Sequence, residues 1–268
     1  MQVLHRAYDV VKMEAEARGV TPTWSEIVGL VPERALFDAA ARHLQLRDFT
    51  PGLVLERKVR DAVSGGVSLS GFVSAVASPA PVPGGGSVAA HAGALGAALA
   101  QMVAGLTVGK KKYAAVDAEM REVALQAAAL VAQLSALVDR DAQAYAGVSA
   151  AYKLPSEPEG ARKDAITSAL LAASSVPLET ARACVRVCEL AAAVAAKGNT
   201  NAVSDAGVAA LLGEAACKGA AYNVRINVAA LDDKSKGASL VAEAGQLVAQ
   251  ASALAIETTR AVEKAIGV

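Results

Sequence analysis

Few residues in this chain can do chemistry, because it is 54% hydrophobic, only 19% charged, and balanced at 26 basic and 26 acidic side chains. Asp139 and Asp141, in the stretch VDRDAQAY, are the first candidates for acid–base work. Two residues apart on a helix, they point about 200° apart and cannot serve one site together. Leu134, Leu137, Val138, Ala142 and Tyr145 set the phase of the apolar stripe, which puts Asp141 at its edge and leaves Asp139 more marginal. On pattern alone, a pair of solvated helix acids is the favoured account.

A second group lies in SPAPVPGGGSVAAHAGALGAALAQMVAGLTVGKKKY, Ser78 to Tyr113. Pro79, Pro81 and Pro83 supply no backbone donors, so the chain should arrive extended, and Gly84, Gly85 and Gly86 then allow a sharp turn. Ser87 is an N-cap type, and the small residues after it would let an anionic or polar group reach the free N–H groups of the first helical turn. Lys110, Lys111 and Lys112 close the segment, and their simplest role is to complement a helix C-terminus. The third group, KGNTNAVSD, offers Asn199, Asn201 and Asp205, for which ordinary capping is an equal reading. Asn223 and Asn227, with Arg225 between them, lie on an otherwise small and apolar helix, so they need partners or a ligand.

Other candidates carry less. His91, alone on an apolar helix, reads as a satisfied core residue. Cys184 and Cys188 share a helical face, but without a His or third Cys in the pattern they and Cys217 read as small buried residues and no metal site is expected. GLTVGKKKY lacks the spacing of a phosphate-binding P-loop.

The elements that must position these groups are helices. Alanine makes up roughly a quarter of the chain and aromatics only 3%, which favours close-packed helices over sheets. The expected class is all-α, a bundle of long Ala-rich helices with a small N-terminal helical segment. Periodicity and breakers predict helices over 2–18, from Pro32 onward, 53–64, 69–77, 114–153, 161–175, 178–196, from Ser204 or Asn201 to about 230, and 236–266. Residues 25–31 could form a strand, Pro177 should stop or kink its helix, and a domain boundary is placed at 66/67. Residues 87–109 carry no charge and are long enough to cross a bilayer, but Ala and Gly drive insertion weakly, so a buried helix is expected. The balanced charge gives no field toward nucleic acid or an anionic membrane. The N-terminal stretch lacks signal-peptide character, so a cytoplasmic protein is expected.

PGGGSVAA, the small-residue helix after it, GLTVGKKKY, and more loosely VDRDAQAY, KGNTNAVSD and AAYNVRINV together resemble the cyclodeaminase/cyclohydrolase family, over roughly residues 68–268. Thr23 to Leu44 resembles the end of a formiminotransferase domain, most of which has no counterpart here. The resemblance implies ring closure of 5-formiminotetrahydrofolate to 5,10-methenyltetrahydrofolate with loss of ammonia, and makes Asp141, the second acid of the VDxDA motif, the catalytic residue. It implies that Gly84, Gly85, Gly86 and Ser87 contact substrate, that Asn199, Asn201 and Asp205 hold the pterin or a carboxylate, and that Lys110, Lys111 and Lys112 meet a glutamate tail. A homodimer or larger homo-oligomer, a polyglutamylated folate substrate and no cofactor beyond it are further implications. Formimino transfer is not expected. Two rivals remain: a methenyltetrahydrofolate cyclohydrolase, and a non-catalytic helical folate-binding or scaffold protein.

Overall fold

The computed structural model describes residues 4–26, 33–47, 49–50, 53–56, 68–155 and 159–267. Every regular element among them is helical, as expected of an all-α chain: α1 (Leu4–Ala17), α2 (Glu33–His43), α3 (Leu69–Val76), α4 (Gly85–Gly105), α5 (Asp117–Tyr152), α6 (Glu159–Lys197), α7 (Val203–Ala229) and α8 (Ala238–Ile266). The proposed strand lies outside the described residues from position 27 on, as do most of the 53–64 helix and the stretch 64–66. Contacts divide the chain into Met1–Phe72 and Val73–Val268. In the first unit α1 packs on α2, with the Tyr8 ring edge-on to His43 at 5.7 Å and Arg42 paired to Asp9 at 2.8 Å.

The second unit is built on α4 to α8, five helices in which consecutive members run antiparallel and the long ones share one core. Small residues set the spacing. A Cβ on Gly96 would lie 3.0 Å from the Ala209 carbonyl oxygen and 3.1 Å from Val187, so α4 and α7 meet backbone to backbone there. Met120, Leu134, Leu137, Val103, Val187, Val194 and Val224 fill the gaps between Ala-lined faces and are fully buried. Low side-chain bulk thus gives close helices, and a few large residues supply the burial, at roughly 1.5–3 kcal/mol each before the entropy of ordering them.

Several boundaries differ from expectation for identifiable reasons. The helix expected from Ala114 is preceded by a 3-10 turn, Lys111–Val116, and begins in earnest at Asp117. α6 does not stop at Pro177, which is buried inside it. Proline removes one N–H, and the carbonyl it would have met, on Ala173, instead accepts the Asn227 Nδ2 group at 2.9 Å. Neither Ser204 nor Asn201 caps α7. Asn199 caps the 3-10 turn Thr200–Ala202 before it, its Oδ1 accepting the Asn201 N–H.

One face of α4 is left exposed by the other helices of the second unit, among the described residues. Gly85, Val88, Ala92, Leu95, Leu99, Met102 and Leu106 recur at alternating spacings of three and four, all of them exposed or half-buried. On adjacent α7, Val208, Leu211, Tyr222 and Ile226 are exposed as well. Length and composition would let Gly85–Gly105, Lys111–Tyr152 or Lys234–Ile266 cross a membrane, yet half of the α4 window is buried inside the bundle.

Burial drives the Cys184 thiol well above its usual value, Cys188 to about 12 and Cys217 to about 11. At pH 8 all three are protonated, so the native protein should resist a disulfide thiol reagent that reacts at once after unfolding in guanidinium. Gly96→Val forces α4 off α7 and is expected to lower stability by about 1–3 kcal/mol in a urea melt.

Candidate functional site

Gly84 begins α4 as its N-cap, with φ −112° and ψ −160°, and the first helical bond runs from the Val88 N–H to the Gly84 carbonyl at 3.0 Å. Gly85, Gly86 and Ser87 therefore occupy the first turn, where N–H groups have no partner within the helix. Ser87 is not the cap that the sequence suggests. It is the third helical residue, fully buried, and its hydroxyl faces α5, with Val138 O and Asp141 Oδ2 both at 3.0 Å.

Asp141 is half-buried against this turn, while Asp139 is exposed, as helical phase predicts. A Cβ on Gly86 would overlap Asp141 Oδ1 and lie 2.7 Å from Oδ2, so only glycine leaves space for the carboxylate. The positive end of the α4 dipole attracts the carboxylate, a contact worth about 0.3–1 kcal/mol. Oδ1 makes no hydrogen bond among the described residues.

The carboxylate lines a cavity of about 370 Å³ at this end of the bundle. Pro81, Val82 and Gly84 to Gly86 form one wall. Asp141, Ala144, Tyr145, Val148 and Tyr152 descend α5 as a second. Leu170 and Ala173 of α6, with Asn223, Ile226, Asn227 and Ala230 of α7, close the rest. The Asn223 Nδ2 group donates to the Gly219 carbonyl and the Asn227 Nδ2 group to the Ala173 carbonyl, each at 2.9 Å. Because a carbonyl must receive a proton, both amides have a fixed orientation, and each keeps Oδ1 as an acceptor with no partner among the described residues. One carboxylate, two amide oxygens and no Lys or Arg in the lining make a cavity suited to a donor-rich, positively charged head group.

The other residues singled out in the sequence stand at the far end of α4, about 30 Å away by its helical rise. There the Thr107 hydroxyl accepts the Asn199 N–H at 2.8 Å, and Asn199 Nδ2 donates to the Leu106 carbonyl at 3.2 Å. Asn199 is buried and joins chain segments. The Lys112 ammonium is 3.5 Å from the Thr200 hydroxyl and 5.2 Å from the Tyr113 ring centre. Hydrogen bonds from Thr200, helped by Lys112, bring the Tyr113 phenol down to about 8. Lys110, Lys111 and Asn201 are exposed, and Asp205 is half-buried in the first turn of α7. One chain thus joins Gly84, Gly85, Gly86, Ser87 and Asp141, and separates them from Lys110 to Lys112, Asn199, Asn201 and Asp205. Sequence reasoning used Tyr145 only to set the phase of the helix and passed over Tyr152, although their spacing of four and eleven from Asp141 puts all three on one stripe of α5.

Fold and cavity together define a helical-bundle protein with a carboxylate-lined cavity at the bundle end. Comparison with known proteins is specific. A family model described as formiminotransferase-cyclodeaminase matches residues 68–246, and one for the formiminotransferase domain matches residues 1–72. The chain is 42% identical over 195 residues to a methenyltetrahydrofolate cyclohydrolase of Methylorubrum extorquens, covering 72% of this chain and 94% of that one. It is 34% identical over 262 residues to the formimidoyltransferase-cyclodeaminase of Rattus norvegicus, covering 86% of this chain and 48% of that one, so it spans about half of that relative. The crystal structure of the formiminotetrahydrofolate cyclodeaminase of Thermotoga maritima superposes with a TM-score of 0.69 at 30% identity, over 74% of this chain and 97% of that one. The chain belongs to the formiminotransferase-cyclodeaminase family, in its cyclodeaminase/cyclohydrolase branch.

Gly86→Ala tests the seating of the carboxylate. A methyl group there displaces Asp141 by about an ångström, and turnover should fall by roughly a hundredfold while the circular dichroism spectrum stays helical.

Proposed function

We propose that this protein is a cyclodeaminase that closes 5-formiminotetrahydrofolate to 5,10-methenyltetrahydrofolate and releases ammonia. The observation that carries this reading is the lone cavity carboxylate, Asp141, seated on the α4 N-terminus among acceptors and without a cation. Both the formimino substrate and the methenyl product bear positive charge on the N–C–N unit, and an anionic, acceptor-lined cavity stabilises it. N10 attacks the formimino carbon, forming the new C–N bond. Asp141 takes the proton from N10 and returns it to the amino group, whose C–N bond breaks as ammonia leaves. One proton moves from nitrogen to nitrogen, and the scheme calls for no metal or redox partner. In the same scheme the Asn223 and Asn227 oxygens accept from the pterin, and Tyr145 flanks the aminobenzoyl ring.

The cyclohydrolase reading draws on the 42% identity to the Methylorubrum extorquens protein and uses the same carboxylate, with water adding to the methenyl carbon. The formiminotransferase match at residues 1–72 favours the cyclodeaminase, because that pairing recurs in the rat relative. By itself this chain is not expected to transfer the formimino group. The apolar three-four stripe of α4, beside exposed Leu211, Tyr222 and Ile226, supports a homodimer in which this face is covered by its copy. Lys110 to Lys112 then bind glutamate carboxylates of a polyglutamylated folate, either from the second copy or at the end of a long tail.

The test follows methenyl absorbance and ammonia on adding purified protein to 5-formiminotetrahydrofolate. Asp141→Asn should lower the rate by about 10²–10⁴-fold with folding intact. An unaltered rate removes Asp141 from the mechanism, and activity on the methenyl compound alone moves the assignment to cyclohydrolase.

A further inference from the structure

The Ser87 hydroxyl has one proton and two acceptors at equal distance, the Val138 carbonyl and Asp141 Oδ2, each 3.0 Å away. It is fully buried, so water cannot take the place of either acceptor. It is also absent from the cavity lining, whereas Asp141 is part of it. No other side chain among the described residues donates a hydrogen bond to this carboxylate.

The geometry points to Ser87 as a positioning residue that holds Asp141 in place through the reaction, with the hydroxyl swinging between the two acceptors as Asp141 gains and loses a proton. When Asp141 is ionised, a charge-assisted bond to Oδ2 is the stronger choice, so the Ser87 proton turns there. This holds the carboxylate by Oδ2 and leaves Oδ1, which has no partner among the described residues, for the reacting nitrogen. When Oδ1 takes a proton the charge is lost, and the hydroxyl turns to Val138 O, which keeps its donor satisfied in both states. A second acceptor therefore makes protonation of Asp141 free of the penalty of a buried, orphaned hydroxyl.

Few other polar groups stand near this pair. α4 carries no charged residue, and its one titratable side chain, His91, lies a turn beyond Ser87. On α5, Asp139 is exposed, Arg140 is paired to Glu179 of α6 at 2.9 Å, and Tyr145 and Tyr152 line the cavity. α6 otherwise presents Leu170 and Ala173. α7 presents the amides of Asn223 and Asn227, with Arg225 exposed.

The inference rests on the reading of Asp141 as proton relay for its kinetic consequence, but not for the seating of the carboxylate. Ser87→Ala removes one oxygen from an Ala-rich helix, so the fold should persist, as a thermal melt checks. Without its donor the carboxylate is free to turn about its last bond. A crystal structure of Ser87→Ala should show the Asp141 carboxylate rotated away from its native position. In the same variant kcat should fall about tenfold with KM little changed, and Ser87→Thr, which retains the hydroxyl, should bring kcat back toward the native value. A carboxylate that keeps its native position in Ser87→Ala overturns the proposal. A rotated carboxylate together with full activity of Asp141→Asn keeps Ser87 in this role and removes the relay instead.

Discussion

The close approach of a carboxylate to a helix start controls this molecule. Asp141 can rest on the first turn of α4 only because residue 86 has no side chain, and it stays there because the α4 N-terminus and the Ser87 hydroxyl offset the cost of taking charge partly out of water. The contact joins α4 to α5 and sets where the cavity opens. It also ties the sequence PGGGS to a residue more than fifty positions later, so neither segment has a site without the other.

The same economy governs the opposite wall. Pro177 interrupts the hydrogen-bond ladder of α6, and the Asn227 amide from α7 repairs it at Ala173. A residue facing the cavity is thereby fixed by a backbone need, with its free oxygen directed by where its nitrogen must go. The dense Ala and Gly surfaces bring α6 and α7 near enough for this bond, and the few large core residues keep them there.

Much of this was legible in the sequence. Alanine content and breaker spacing gave the bundle, and the 3.6-residue period separated Asp141 from Asp139 because burial follows phase. Ser87 was misread because a serine after glycines looks the same as a cap and as a first-turn donor until α5 is in place. The distance between Lys110 to Lys112 and Gly84 to Gly86 was also legible, because a helix of this length puts its ends about 30 Å apart. Asn223 and Asn227 were legible as groups needing partners, but their partners are backbone carbonyls, one of them freed by a proline fifty residues earlier. No local pattern encodes such a pairing.

That proline has an implication for how the chain can change over time. A proline in the ladder and the amide that mends it form a lock and key across two helices, so loss of Asn227 while Pro177 remains exposes a bare carbonyl in the interior. Substitution of Pro177 by an ordinary helix former restores the ladder and releases Asn227 to rotate, which loosens recognition while the scaffold gains rigidity. Ancestry at these two sites is expected to move in tandem.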